Sequence, residues 1–521
     1  MACSVSNQTS LSPLLSPPDR SNGAHLVVDL QNCANGNHGD SNRFRHRRKL
    51  ESTVDPFRNS TPDIGGIYEV LKIILCLPVT LLRLLLFAVC LFIGYLTTLL
   101  ATYNWDENSV PMPRWRSRLM FVTRLCARGI LFAFGYHWIR RVGKPASREI
   151  APIVVSNHIS YIEPIFFFYD FYPTIVASES HDSLPFVGTI IRAMQVISVD
   201  RFSSSSRAHA VREIKRRASN NSFPRLLLFP EGTTTNGKAL LSFKLGAFIP
   251  GYPIQPVVVR YPFVHFDQSW GHISLVKLIL RMFFQFHNFM EVNYLPVVYP
   301  SEFCREDPSY FSARVSNSIA TSLNVVQTSY SFGDMMLLMK AHDAKHPNPS
   351  SFMVEMAKVE ALFEITNLEA LSFLEIFLSM DPDSSGCINF SGFSMVLGCK
   401  SICVTEEIFR LLDVDQSGMI TFKQFVYALG HLLKHSSIWE ALVAHFVHDG
   451  ENTSEICRQE FEDMVRFAIQ DIEYSEICGL LEMFDTNRNG RVRRDDFMSL
   501  LRKNPLLMLY FVPLSDWQSL T

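Results

Sequence analysis

His158 is placed to move a proton. It closes the apolar run Val154-Val155-Ser156-Asn157, and Glu163 follows it five positions later. An imidazole accepts a proton near neutral pH, and a nearby carboxylate can orient the ring and stabilise its charged form. Alone the pair is weak evidence, because His and Glu fall at this spacing by chance in many surface loops. Three further blocks give it company. Asp200-Arg201 follows an apolar run at 194–199, and Pro230-Glu231-Gly232-Thr233-Thr234 follows another at 225–229. Gly251-Tyr252-Pro253-Ile254-Gln255-Pro256 leads into Val257-Val258-Val259. Each of the four β-type runs carries polar or turn residues at one end, as an α/β fold requires for a ligand site at its strand ends.

The elements that must hold these residues can be read around them. Strands are predicted at 152–156, 174–178, 194–199, 225–229, 254–260 and 290–298. Ser206 reads as the N-cap of a basic helix that reaches Arg217. This alternation predicts an α/β domain over 105–335, a sheet covered by helices. The run 275–289 carries Lys277 and Arg281 one turn apart. It fits a lipid-touching helix and an ordinary core helix with two snorkelling cations equally well.

Residues 1–64, rich in Ser, Asn and Pro, sustain no hydrophobic period and predict a disordered tail. The tail holds a basic cluster, Arg43 to Lys49, that suits an anionic lipid surface. No signal peptide is expected at Met1, since the first apolar stretch comes far too late. A membrane segment is predicted at 65–104, apolar but for Arg83 and interrupted by Pro78. Its run 84–100 would span about 25 Å as a helix, the short edge of what crosses a bilayer. A second apolar stretch, 119–136, carries Arg124 and Arg128 and reads as an amphipathic or re-entrant helix at the interface. Basic residues flank the apolar stretch on both sides, which favours a segment that enters and returns with both ends cytosolic. Hydrophobic residues make 47% of the 521, and mean hydropathy is +0.11, high for a wholly soluble chain. Lys+Arg 48 against Asp+Glu 50 argues against a general nucleic-acid binder. The eleven cysteines form no zinc-type pairs and read as reduced thiols on a cytosolic face.

Past a helical linker, 336–365, acidic loops repeat through 366–510. An EF-hand loop presents oxygen ligands at positions 1, 3, 5, 7, 9 and 12, with Gly at 6. Asp381, Asp383 and Ser385 begin one such loop, which ends on Gly392. Asp413, Asp415 and Ser417 begin another, which ends on Gln424. Asp485, Asn487 and Asn489, with the Arg491 carbonyl and Asp496, form the third; an eroded fourth runs from Asp449 to Glu460. Starts at 381, 413, 449 and 485 mark these as repeats. Two loops lack the closing carboxylate, and Arg493 sits at position 9 of the third with Arg488, Arg491 and Arg494 beside it. Calcium is therefore expected to bind weakly, and a purely structural all-α EF-hand domain fits as well.

Together these features resemble the glycerolipid (PlsC-like) acyltransferase family, whose first block is His-x4-Asp and whose third is Phe-Pro-Glu-Gly-Thr. The likeness covers about residues 65 to 505 and extends to the plant lysophosphatidylethanolamine acyltransferases. The animal lysophosphatidylcholine acyltransferases with EF-hands are also similar. Glu163 departs from the family's Asp by a methylene but keeps the charge. The resemblance implies acyl transfer from acyl-CoA to a lysophospholipid, with no cofactor. His158 would take the proton of the acceptor hydroxyl and Glu163 would polarise the imidazole. It also implies that Arg201, Glu231, Gly232 and Thr233 bind the acceptor, with Glu231 positioning Arg201 or a glycerol hydroxyl. The fourth block falls on the acyl-CoA side. Such an enzyme belongs on the endoplasmic reticulum or another endomembrane, its catalytic and EF-hand domains facing the cytosol. Two alternatives stand beside this reading: a lysophosphatidic acid or glycerol-3-phosphate acyltransferase, and a membrane-tethered calcium-binding scaffold with a dead acyltransferase domain.

Overall fold

Two helices stand ahead of the sheet. The computed structural model describes residues 55–61, 63–105, 111–178, 187–271, 273–301, 306–397, 402–434, 455–468, 474–485 and 487–503. Helix α1 (Gly66–Thr102) runs through Pro78 without a break, so the predicted interruption does not occur. Its buried residues recur at helical spacing, Lys72, Cys76, Thr80 and Arg83, and then Gly94, Thr98 and Ala101. The first stripe faces the catalytic domain: Thr80 donates to the Phe283 carbonyl, and Arg83 to those of Phe283, Gln285 and Phe286. The second stripe meets α2 (Arg114–Ala133), with Thr98 Oγ1 3.2 Å from Thr123 Oγ1. A Cβ on Gly129 would stand 2.6 Å from Cys90 Sγ, so the thiol would have to turn away to admit a side chain there. Most of the remaining α1 surface is exposed Leu, Ile, Val and Phe. Among the described residues α1 alone is long and apolar enough to cross a membrane. Two arginines of α2 turn inward to carbonyls: Arg124 to those of Tyr169 and Asp170, Arg128 to those of Tyr136 and His137.

The sheet is built from β1 (Arg140–Val142), β2 (Ile153–Ser156), β3 (Thr174–Ser178), β4 (Ile197–Val199), β5 (Leu226–Leu228), β7 (Ile254–Arg260) and β8 (Glu291–Tyr294). β6 (Ala239–Leu240) pairs with β9 (Val326–Gln327) in a separate small ladder. Helices α3 (Ile162–Phe171), α4 (Val187–Ala193), α5 (Ser204–Ser219), α6 (Leu275–Phe283) and α7 (Pro308–Leu323) connect and cover the strands. The order is β1-β8-β7-β2-β5-β3-β4, parallel throughout except for the antiparallel β7–β8 pair. Successive strand residues serve opposite faces. Val154, Leu227 and Val257 pack with α2, α3 and α6, whereas Ile153, Val155, Leu226 and Val258 pack with α5 and α7. Each predicted strand forms, although β4 and β8 are shorter than expected; β2, β5 and β7 are apolar runs buried on both faces, whereas β8 alternates. The N-cap of α5 is Ser203, not Ser206: Ser203 Oγ accepts from the Ser206 amide, while Ser206 Oγ accepts from that of Asp200.

The disorder expected through residue 64 does not hold for residues 55–61; residues 1–54 lie outside the described residues. Residues 55–61 form a strap on the catalytic domain, with Phe57 and Asn59 buried. Asn59 Nδ2 donates to the carbonyls of Asp267 and Ser269, at 3.1 and 2.7 Å. Asn236 Nδ2 donates to the Asp55 carbonyl, and Ser350 Oγ to the Asp55 carboxylate. In α6, Lys277 pairs with Asp63, and Arg281 donates to the Thr61 carbonyl. Val276 and Leu280 of the same helix are exposed, which favours the lipid-touching reading.

The chain then turns helical. After α8 (Phe332–Asp343), α9 (Met356–Phe363) and α10 (Asn367–Ser379) come β10 (Cys387–Asn389), α11 (Phe390–Leu397), α12 (Ile402–Leu412), β11 (Met419–Thr421) and α13 (Phe422–Lys434). A second set holds β12 (Glu455–Cys457), α14 (Arg458–Ala468), α15 (Tyr474–Phe484), β13 (Arg491–Arg493) and α16 (Arg494–Lys503). β10 pairs with β11 through Ile388 and Ile420, and β12 with β13 through Ile456 and Val492, both antiparallel. The predicted linker 336–365 is no spacer. Leu337, Phe352, Met356, Val359 and Phe363 lie in one core with Phe373, Phe425, Phe461 and Phe497. Asp334 begins this module: buried in a capping box with Ser331, it also accepts from the amides of Val354, Glu355 and Met356.

Candidate active site

The parallel strands β2, β4 and β5 bring three of the four blocks to one edge of the sheet. His158 leaves β2 there, and its Nδ1 lies 3.0 Å from Glu163 Oε2. Glu163 sits in the first turn of α3, fully buried, and also accepts from the amides of Ile159 and Ser160. That carboxylate fixes the imidazole tautomer, because Nδ1 must carry the proton it donates. The ring stacks on Phe229 at 4.1 Å, and Nε2 makes no hydrogen bond to any described residue. A ring so held is oriented to take a proton at Nε2.

Glu231 does not reach Arg201, contrary to one expected role. Its Oε1 accepts from the His158 amide at 3.0 Å, and its Oε2 from the Leu241 amide at 3.1 Å. Both oxygens are thus engaged in fastening the His158 loop to the strand-end turns. Burial, against those two amides, pushes its carboxyl up to about 8 from 4.5. Across that window the folded chain holds a proton that the unfolded chain releases, so stability falls as pH rises from about 4.5 to 8. Glu231→Gln is expected to remove that part of the slope, read as the thermal midpoint against pH. It should also lower stability at acid pH, because its amide nitrogen cannot accept from Leu241, and this deficit should shrink as pH rises toward 8.

Gly232 holds φ +72°, and a side chain there would meet no atom within 4 Å. Thr233 Oγ1 donates to Met335 Sδ at 2.7 Å. The Arg201 guanidinium lies over the Phe332 ring, Cζ 4.3 Å from its centroid, with burial lowering its pKa. Two placements were missed in the sequence. The fourth block begins at the far edge of the sheet, and β7 instead delivers Tyr261 to the His158 edge. Tyr261 is buried, and burial first and the Glu163 charge second hold its phenol well above its ordinary value. No signal marked Tyr261, one aromatic among many, nor Phe332 and Met335, which lie outside the motif blocks.

A family model described as Acyltransferase matches residues 140–260, the stretch from β1 through β7. Lysophospholipid acyltransferase LPEAT2 of Arabidopsis thaliana is 58% identical over 463 residues, 89% of this chain and 86% of that protein. Lysophosphatidylcholine acyltransferase of Drosophila melanogaster is 30% identical over 487 residues, 92% of this chain and 91% of that one. The chain belongs to the lysophospholipid acyltransferase family. Lysophosphatidylcholine acyltransferase 1 of Danio rerio is 36% identical over 285 residues, 54% of this chain and 55% of its own.

In this acyltransferase the predicted metal ligands are gathered by loop, and each loop closes on protein donors. Asp381 accepts from the Ser385 and Gly386 amides, and His346 Nε2 stands 3.6 Å from its Oδ2. Asp413 accepts from the Ser417 and Gly418 amides, while Gln424 Nε2 donates to Asp415 at 3.0 Å. Asp485 accepts from the Asn489 and Gly490 amides. Arg493 Nε donates to Asp496 at 3.0 Å, and with the Asn487 amide turned to accept, Arg493 Nη2 donates to it at 2.9 Å. A guanidinium thus joins positions 3 and 12. Asp383 is exposed, and the Arg491 side chain reaches Glu455 at 3.7 Å. No group of three or more His, Cys, Asp or Glu able to hold a metal occurs among the described residues.

Proposed function

We propose that this enzyme is a membrane-bound acyl-CoA:lysophospholipid O-acyltransferase, with lysophosphatidylethanolamine its main acceptor. The observation that carries the chemistry is the His158 imidazole, held through Nδ1 by buried Glu163 with Nε2 open. His158 Nε2 takes the proton of the acceptor hydroxyl as its oxygen attacks the thioester carbonyl. The tetrahedral adduct collapses, the C–S bond breaks, and the imidazolium returns its proton to the CoA thiolate. Arg201 holds the acceptor phosphate, Gly232 leaves room for it and Thr233 turns its hydroxyl from Met335 to donate to it, while Glu231 contributes by fixing the His158 loop. The head-group assignment follows the resemblance to the plant lysophosphatidylethanolamine acyltransferases; the Arabidopsis relative, alike over most of both chains, is named a lysophospholipid acyltransferase. Acylation by membranes carrying the protein, with labelled acyl-CoA, tests this. Lysophosphatidylethanolamine and lysophosphatidylcholine should be acylated faster than lysophosphatidic acid or glycerol-3-phosphate. The reverse order favours the alternative acceptor class, and no product from any of them favours the inactive scaffold.

The α1–α2 hairpin anchors the enzyme in an endomembrane such as the endoplasmic reticulum. The strap precedes α1 yet packs on residues that follow α2, which supports an even number of crossings; a cytosolic side for both follows from the use of cytosolic acyl-CoA. Asn59 begins an Asn-Ser-Thr sequon, and its amide nitrogen is spent on two buried carbonyls. Digestion with an N-glycosidase is therefore expected to leave the protein's electrophoretic mobility unchanged. A mass loss on digestion, absent in Asn59→Gln, would put the strap in the lumen and overturn this topology. We read the helical C-terminal module as EF-hands that serve mainly to fold and dock, binding calcium more weakly than sensor loops do.

A further inference from the structure

We propose that Phe332 is a positioning residue for acceptor binding: its ring holds the Arg201 guanidinium so that α8, and through it the C-terminal module, completes the phosphate site. This deepens the function proposed above and rests on Arg201 meeting the acceptor phosphate.

Arg201 is half-buried, yet its guanidinium makes no hydrogen bond or ion pair to any described residue. Its contact with Phe332, at 4.3 Å, is the shortest cation–π contact among the described residues. A guanidinium is planar, and its N–H groups point outward in that plane. An aromatic face therefore steadies it from above without taking a donor, whereas a carboxylate partner would occupy the fork that a phosphate needs. The loop bearing Arg201 is itself tied down, its carbonyl accepting from Arg207 and the Asp200 amide donating to Ser206. What remains loose is the side chain, and Phe332 is what it rests on.

The second contact lies on the same face of α8. Met335, three residues on, accepts from Thr233 Oγ1, so one helical turn touches both the arginine and the threonine of the proposed site. That turn is rigid for a reason remote from the sheet. Asp334 between them is buried and bonded to amides at both ends of the 331–356 segment. Leu337 and Ala341, further along α8, sit in the core of the C-terminal module. The phosphate end of the acceptor site thus has one wall outside the stretch from β1 to β7.

Steady-state kinetics of the full chain in membranes test this, varying lysophospholipid at fixed acyl-CoA and the converse. Phe332→Leu should raise the acceptor KM about five-fold, with kcat and the acyl-CoA KM within about two-fold; Phe332→Tyr, which keeps a ring face, should restore it. Phe332→Met gives the same comparison if the leucine protein does not accumulate. An acceptor KM that is unchanged or lower overturns the proposal, the latter meaning that the ring obstructs the site. So does a fall in kcat with both KM values altered, which would mark a merely structural residue. Arg201→Lys separates the two levels. If it raises the acceptor KM while Phe332→Leu does not, only this inference is lost. If Arg201→Lys also leaves that KM unchanged, the phosphate-binding role of Arg201 falls, and the inference with it.

Discussion

His158→Ala is expected to lower the rate of acyl transfer by about 10²–10⁴-fold while the protein stays in the membrane fraction. The imidazole is only partly exposed and contributes a stacking contact on Phe229 rather than a core, so its removal should cost activity far more than folding. Rates within a few-fold of the parent would remove His158 from the reaction. Glu163 offers a sharper comparison at one position. Its two oxygens accept from the His158 ring and from the amides of Ile159 and Ser160, all donors. Glu163→Gln turns an amide N–H toward one of those donors and leaves a buried group unsatisfied, a severe change. Glu163→Asp keeps both acceptors and the charge and should be the mildest substitution there. A Gln variant as active as the Asp variant would take Glu163 out of the pair.

The loops proposed as EF-hands give the second large effect, and it is a gain. The parent protein should bind calcium more weakly than sensor loops, which work at about 10⁻⁷–10⁻⁵ M. Gln424→Glu should bring one site into that range, because Gln424 already reaches across its loop to Asp415 and differs from Glu only in its terminal amide. Gly392→Glu, the equivalent repair at 381, should fail: a Cβ on Gly392 would stand 2.2 Å from the Met380 carbonyl oxygen. In the third loop Arg493 already bridges Asn487 and Asp496, a built-in cation where the metal would sit. Calorimetric titration decides, and it needs a fragment that starts ahead of residue 331. One cut at 366 would discard Leu337, Phe352, Met356, Val359 and Phe363 from the core it is meant to contain. Micromolar binding by the parent chain, or none by Gln424→Glu, would show this account wrong.

What could be read in the sequence was local. The strands were legible because each is a short apolar run, and the His158–Glu163 pair because both members sit within one turn of chain. Roles fixed by distant partners were not. Glu231 looked like a ligand for the acceptor because it lies in a motif, yet its oxygens bond to amides on two other segments. The strap carries no hydrophobic period, and what orders it is a set of single hydrogen bonds to residues over two hundred positions away. The segment 336–365 read as a linker because its helices are brief; their apolar residues find partners only once the later helices are present. Arg493 was legible as a cation in the wrong place, though not that it would bond to both ends of its loop.

The strap also sets an order of events during synthesis. Ser60 waits for Asp267, 207 residues later, which at ribosomal speeds of about 5–20 residues per second is about 10–40 s. Helix α1 lies between them and leaves the ribosome first, so on the proposed topology the hairpin would insert before the strap's partners appear. Only a chain whose two ends emerge on the same face of the bilayer can then close it. A chain inserted otherwise would keep Phe57 bare and leave the Asn59 sequon open to the lumenal glycosylation machinery. On that topology, closure of seven residues would act as a proofreading step, and the chains that fail it would carry their own label.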